Sequence, residues 1–120
     1  MILAIDIGNT AIHVGCFEGR RLRRRFSIPT SLARAPGRLR RGLARGGGRG
    51  DEAIICSVVP WATSRVVRAL RASGCSRVRV VGRDIRVPLK NRYRYPRQVG
   101  QDRLVGAYAA WCQFGDGALR

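Results

Sequence analysis

Residues 1–15 read MILAIDIGNTAIHVG, and the fold turns on how this stretch divides. Residues 2–5, Ile-Leu-Ala-Ile, form a short apolar run of the kind that makes a buried strand. Asp6, Ile7, Gly8, Asn9 and Thr10 follow, and residues 11–17 read as a second strand. A carboxylate, a glycine and two small polar residues therefore fall in a tight turn between two strands. Gly8 and Asn9 tolerate positive φ, which tight turns often need. A turn of this kind aims successive backbone N–H groups at an anion. Asp6, at the strand end, is a candidate ligand for Mg²⁺, directly or through water. The same residues also describe a plain β-hairpin with a polar turn, and both readings stay open at this point.

Working outward, 120 residues suffice for one domain with a real core, and an apolar share of 45% argues against disorder. No apolar run approaches the roughly 18 residues of a membrane span. The N-terminus lacks the basic region and long apolar stretch of a signal peptide. The expectation is a cytoplasmic protein that does not engage a membrane. Cys16, Cys56, Cys75 and Cys112 are scattered with no C-x-x-C pair, which argues against a zinc site and a disulfide framework. They read as reduced thiols, mostly buried.

The formal net charge of +17 looks like a nucleic-acid signature. Only Lys90 is a lysine, however, and every other basic residue is an arginine. A skew this strong fits a GC-rich coding sequence as well as it fits selection for arginine chemistry. Arg21, Arg23, Arg38, Arg40, Arg41 and Arg45 are read as solvated surface charge. Nucleic acid is expected to bind only nonspecifically, at low salt.

Glu18-Gly19 suggests a second hairpin turn into a third strand that ends near Ile28. There Arg21, Arg23 and Arg25 alternate with Leu22, Arg24 and Phe26, giving one fully basic face, as on an edge strand. Pro29-Thr30-Ser31 ends it and starts a helix that Pro36 interrupts; residues 38–45 then carry Leu39 and Leu43 as a thin apolar stripe. Residues 46–50, GGGRG, resemble an RGG-type RNA-binding tract but are too short for one, and a flexible loop is the preferred reading. Residues 53–59, AIICSVV, have the continuous apolar character of a central parallel strand. Pro60 opens a helix with Val66, Val67 and Leu70 on its apolar face, and Gly74 caps it. Residues 78–81 form a further strand, 84–96 a loop and 100–114 a last helix, with Asp102 and Arg103 in its first turn. Helix capping alone accounts for an acid at Asp102. The order βββαβαβα predicts an α/β fold with a mixed sheet, a meander in front and parallel strands behind, and helices on both faces.

Three stretches together resemble the type III pantothenate kinases, members of the acetate kinase, sugar kinase, Hsp70 and actin superfamily. The first is residues 6–10, DIGNT, similar to the family's first phosphate loop. The second is residues 56–60, CSVVP, similar to its serine-rich strand end followed by proline. The third is residues 93–103, YRYPRQVGQDR, similar to its tyrosine, proline and glycine-x-aspartate-arginine segment. The resemblance implies a ribonuclease H-like, actin-like ATPase domain and transfer of the ATP γ-phosphoryl group to pantothenate, the first step of coenzyme A synthesis. Carried over by position, Asp6, Ile7, Gly8, Asn9 and Thr10 would cradle the ATP phosphates, with Asp6 on Mg²⁺. Asp102 would be the general base. Tyr93, Gly100, Gln101, Asp102 and Arg103 would hold pantothenate. The resemblance further implies a monovalent cation, K⁺ or NH₄⁺, and a homodimer.

Family members are roughly twice as long and have two such domains. This sequence runs to Arg120, about where the second phosphate loop would begin, and contains no second D-x-G-T. The expectation is residues 1–120 as the N-terminal domain, with the second domain not in this chain, whether as a fragment, a truncated gene or a decayed copy. The competing reading is a basic nucleic-acid-binding or transcription-regulatory protein of the Bvg accessory factor type.

Overall fold

The run at the N-terminus becomes the central strand β1, Ile2–Ile7, which is hydrogen-bonded on both sides. The computed structural model describes residues 1–19, 21–45 and 51–81. After β1 come β2, Ala11–Glu18, and β3, Arg21–Pro29; a 3₁₀ turn at Thr30–Arg34; α1, Pro36–Arg45; β4, Glu52–Ser57; α2, Pro60–Ala72; and β5, Arg77–Val80. The five strands form one sheet in the order β3-β2-β1-β4-β5. Short turns join β1 to β2 and β2 to β3, which forces antiparallel pairing. The crossover through α2 returns β5 parallel to β4, and β4 lies parallel to β1. This is the mixed α/β sheet that the element order predicts, with a meander in front and parallel strands behind.

Alternation along the strands sorts the sheet into two faces. Leu3, Ile5 and Ile7 of β1, Ile12, Val14 and Cys16 of β2, Ile28 of β3, Ala53 and Ile55 of β4, and Val78 and Val80 of β5 share one buried cluster. Leu39 and Leu43 of α1 and Val66, Val67 and Leu70 of α2 complete it. Both described helices therefore cover the same face. The other face carries Ala4, Asp6, Phe17 and Ile54, also buried. The third helix expected at residues 100–114 lies outside the described residues.

The helix signals were local and held. Pro60 opens α2, and Ser57 Oγ accepts the Val59 N–H at 2.9 Å just before it. At the other end Gly74 takes φ +96°, the Gly74 N–H donates to Arg71 O and the Cys75 N–H to Leu70 O, the double bond of a Schellman cap. Pro36 behaves differently from expectation. It does not interrupt a helix; it is the first residue of α1, where its missing N–H costs nothing, and the preceding segment makes only one 3₁₀ turn.

The basic face expected on β3 does not exist as a continuous face. Cys16 stands opposite Arg24 but Phe17 opposite Leu22, so Arg23 is an extra residue in a β-bulge. Opposed residues share a face. The bulge therefore leaves Arg24, opposite the core residue Cys16, on the helix side, and Arg25, opposite Gly15, on the other. Arg23 instead pairs with Glu18 at 3.5 Å on the surface. β3 is the edge strand that its composition suggested, with Arg21 to Arg25 all exposed.

Candidate active site

β1 and β4 are parallel neighbours, so their carboxyl ends lie at one edge of the sheet, with Ile7 beside Ser57 and Asp6 beside Cys56. From there the chain leaves β1 toward β2 on one side and leaves β4, through α2, toward β5 on the other. That divergence marks the edge of the sheet outside whose carboxyl ends α/β folds usually take their ligands. The stretches at residues 6–10 and 56–60, fifty residues apart in sequence, meet at this edge. The Val58 N–H donates to Ile7 O at 3.1 Å and ties them together. The N-terminus of α2 opens at the same edge and brings the positive end of its dipole.

Asp6 is not in the turn, where the sequence suggested, but inside β1. Its side chain is only 5% exposed and stands on the face away from the helices, directly opposite His13 on β2. Ile7 points the other way, into the core, with no exposed surface. Whatever Ile7 offers a ligand comes from its backbone.

The turn itself is residues 8–10. Gly8 does not adopt positive φ, contrary to expectation; what sets it apart is space, because a Cβ there would meet Ala11 O at 3.3 Å, a tight contact with backbone. The Gly8 N–H donates to that same carbonyl at 2.9 Å. Asn9 and Thr10 are exposed at the tip. From outside the turn, Thr30 donates its hydroxyl to Gly8 O at 2.7 Å and its N–H to Thr10 O at 2.9 Å. The sequence reading passed over Thr30, since nothing local links it to a residue twenty-two positions earlier.

A second group also escaped the sequence reading. The Arg34 guanidinium lies 4.8 Å from the Trp61 ring centre and that of Arg65 lies 5.8 Å from it. Both are cation–π contacts at the start of α2. Arg65 also donates to Ala33 O at 3.3 Å.

Cys16 and Cys75 do not compete as nucleophiles: both are buried, and burial pushes both thiols above their ordinary pKa. No cluster of three or more His, Cys, Asp or Glu side chains occurs among the described residues. Mg²⁺ does not require one, because it is commonly held by one or two carboxylates together with substrate phosphates and water. Tyr93, Gly100, Gln101, Asp102 and Arg103 lie outside the described residues.

Comparison with known proteins bears on these same stretches. The family model for type III pantothenate kinase matches residues 2–119. A type III pantothenate kinase of Brevibacillus brevis is 34% identical over 122 residues, covering 96% of this chain and 48% of the relative. That of Geobacter sulfurreducens is 38% identical over 118 residues, covering 92% and 46%. That of Rubrobacter xylanophilus is 36% identical over 129 residues, covering 99% and 48%. Among solved structures, a ROK hexokinase from Thermus thermophilus aligns with a TM-score of 0.48 and 21% identity, over 67% of this chain and 34% of its own. The chain spans about half the length of the curated relatives it matches. Since the family match runs from the first strand through the glycine-x-aspartate-arginine segment, the chain belongs to the type III pantothenate kinase family.

Proposed function

We propose that residues 1–120 are the N-terminal, phosphate-binding domain of a two-domain cytoplasmic kinase that transfers the γ-phosphoryl group of ATP to the primary hydroxyl of pantothenate, giving 4′-phosphopantothenate. The observation that carries this reading is the position of the 6–10 stretch at the divergent carboxyl ends of β1 and β4 in a chain of this family. The residues present fit a nucleotide with its metal: Asp6 sits just behind a turn whose Gly8 leaves the backbone free of a side chain and whose tip, Asn9 and Thr10, is open. Asp6 would hold Mg²⁺, directly or through water, while residues 8–10 face the phosphates. Mg²⁺ neutralises charge on the phosphates, which with alignment is most of what phosphoryl transfer asks of a protein. Asp102 would take the hydroxyl proton, and Arg103 would pair with the pantothenate carboxylate in a bidentate fork. Tyr93, Gly100 and Gln101 would complete the pantothenate pocket. K⁺ or NH₄⁺ and a homodimer belong to the same proposal. No described helix is long and apolar enough to cross a membrane.

The test is a coupled ADP-release assay on residues 1–120 joined to the second half of the Brevibacillus brevis relative. Turnover should require both pantothenate and Mg²⁺ and should be lost in Asp6→Ala. ADP release indifferent to pantothenate would refute the substrate assignment.

A specific observation bears on the competing nucleic-acid reading. Arg38, Arg40 and Arg41 on α1 and Arg65, Arg68 and Arg71 on α2 are all exposed, and neither helix contains an acidic residue. A surface of this kind attracts polyanions without reading bases. Engaging about six phosphates, it should lose roughly 10³-fold in affinity between about 50 and about 200 mM salt. Fluorescence anisotropy with two unrelated oligonucleotides is expected to give equal affinities and a steep salt slope. Tight binding to one sequence alone, kept at physiological salt, would favour the regulatory protein.

A further inference from the structure

Thr30 is 2% exposed, and its hydroxyl and its N–H are both spent on one target. Its hydroxyl holds the Gly8 carbonyl and its N–H holds the Thr10 carbonyl, the two ends of the phosphate-loop turn. A trans peptide is planar, so the C=O of one residue and the N–H of the next point in opposite directions. With Gly8 O turned toward Thr30, the Asn9 N–H is turned away from it. The direction of a loop donor is thus set by a residue just past the end of β3. Thr30 is itself held in place. The 3₁₀ turn it begins, Thr30–Arg34, is braced on α2 by the bond from Arg65 to Ala33 O and by the contact of Arg34 with Trp61.

We infer that Thr30 is a positioning residue for the phosphate loop, whose hydroxyl fixes the Gly8 peptide plane and so the aim of the Asn9 N–H. Its bearing on catalysis rests on the kinase reading above; its effect on the loop does not. Thr30 touches no reacting atom and acts only through residues 8–10. Serine keeps the hydroxyl. Valine keeps the shape and removes it.

The test is ¹⁵N relaxation on the purified chain, comparing wild type with Thr30→Val and Thr30→Ser. In wild type and Thr30→Ser the Asn9 amide should be nearly as ordered as the sheet, with an order parameter near 0.85; in Thr30→Val it should fall below about 0.6. The Ile5 and Ile55 amides at the sheet centre should not change. Exchange of the Gly8 N–H should quicken about 3- to 10-fold in Thr30→Val, as losing one hydrogen bond predicts. Should valine not be accommodated, Thr30→Ala serves in its place. An Asn9 amide equally ordered in the valine or alanine variant overturns the inference, as does a serine variant as loose as valine. None of these readings needs a nucleotide. An ordered, Thr30-dependent loop in a joined protein that binds no ATP would sink the kinase reading and leave this one standing; a Thr30-independent loop in an active kinase would do the reverse.

Discussion

In a protein joining residues 1–120 to a second domain, Asp102→Asn is expected to lower turnover by about 10²–10⁴-fold, the usual share of a general base. Asparagine keeps the size and the hydrogen-bonding reach of the side chain but cannot take the proton that the attacking hydroxyl must lose. The loss should fall on kcat. The KM for ATP should change little, because ATP is assigned to residues 6–10 at the other end of the sequence. Asp102 lies outside the described residues, and its role rests on its place between Gly100 and Arg103 in a chain of this family. Its alternative role, capping a helix, would cost stability and leave chemistry nearly intact. Steady-state kinetics beside a thermal melt separates the two. Wild-type kcat with a lowered melting temperature would make Asp102 a cap.

Residues 1–120 expressed alone are expected to form no phosphopantothenate and to bind ATP weakly or not at all. The γ-phosphoryl group in flight spreads charge over three equatorial oxygens and the bridging oxygen, so donors and metal are needed on more than one side. In the proposed kinase the edge at the ends of β1 and β4 would supply one side, through the 6–10 stretch. The base must also be held in line with the donor, and alignment by itself accounts for about 7–11 kcal/mol of a barrier. An ATP bound at one edge and open to water has no such alignment. Val58 and Trp61 stand exposed beside this edge and favour self-association of the isolated domain. The check is ADP release with pantothenate, Mg²⁺ and K⁺, run beside a titration with ATP. Pantothenate-dependent turnover that disappears in Asp6→Ala would mean that a single domain suffices.

The elements that were legible in advance are those whose cause is local. Residues 2–5 announce a buried strand because four apolar side chains in a row leave no polar face. Pro60 and Gly74 mark the ends of α2 because a missing N–H and a left-handed φ are properties of single residues. The stretches at residues 6–10 and 56–60 are marked by a different route, their resemblance to a family pattern.

What pattern could not supply arises between segments distant in the chain. The alternation of arginines on β3 looked like a basic face until pairing with β2 inserted Arg23 as a bulge; a register belongs to two strands and is written in neither alone. Asp6 was read as a turn residue because Gly8, Asn9 and Thr10 follow it. It belongs to β1 because Cys56 and His13, on two other strands, pair beside it. Thr30 looked like a strand terminator, and its bonds to Gly8 and Thr10 form only when β3 has folded back along β2. Local chemistry thus determines which of the described segments are strands and helices. Which residues meet at the carboxyl ends of β1 and β4, and what aims them, is decided by the sheet, because a hydrogen bond across twenty-two residues exists only after the backbone between them has been ordered.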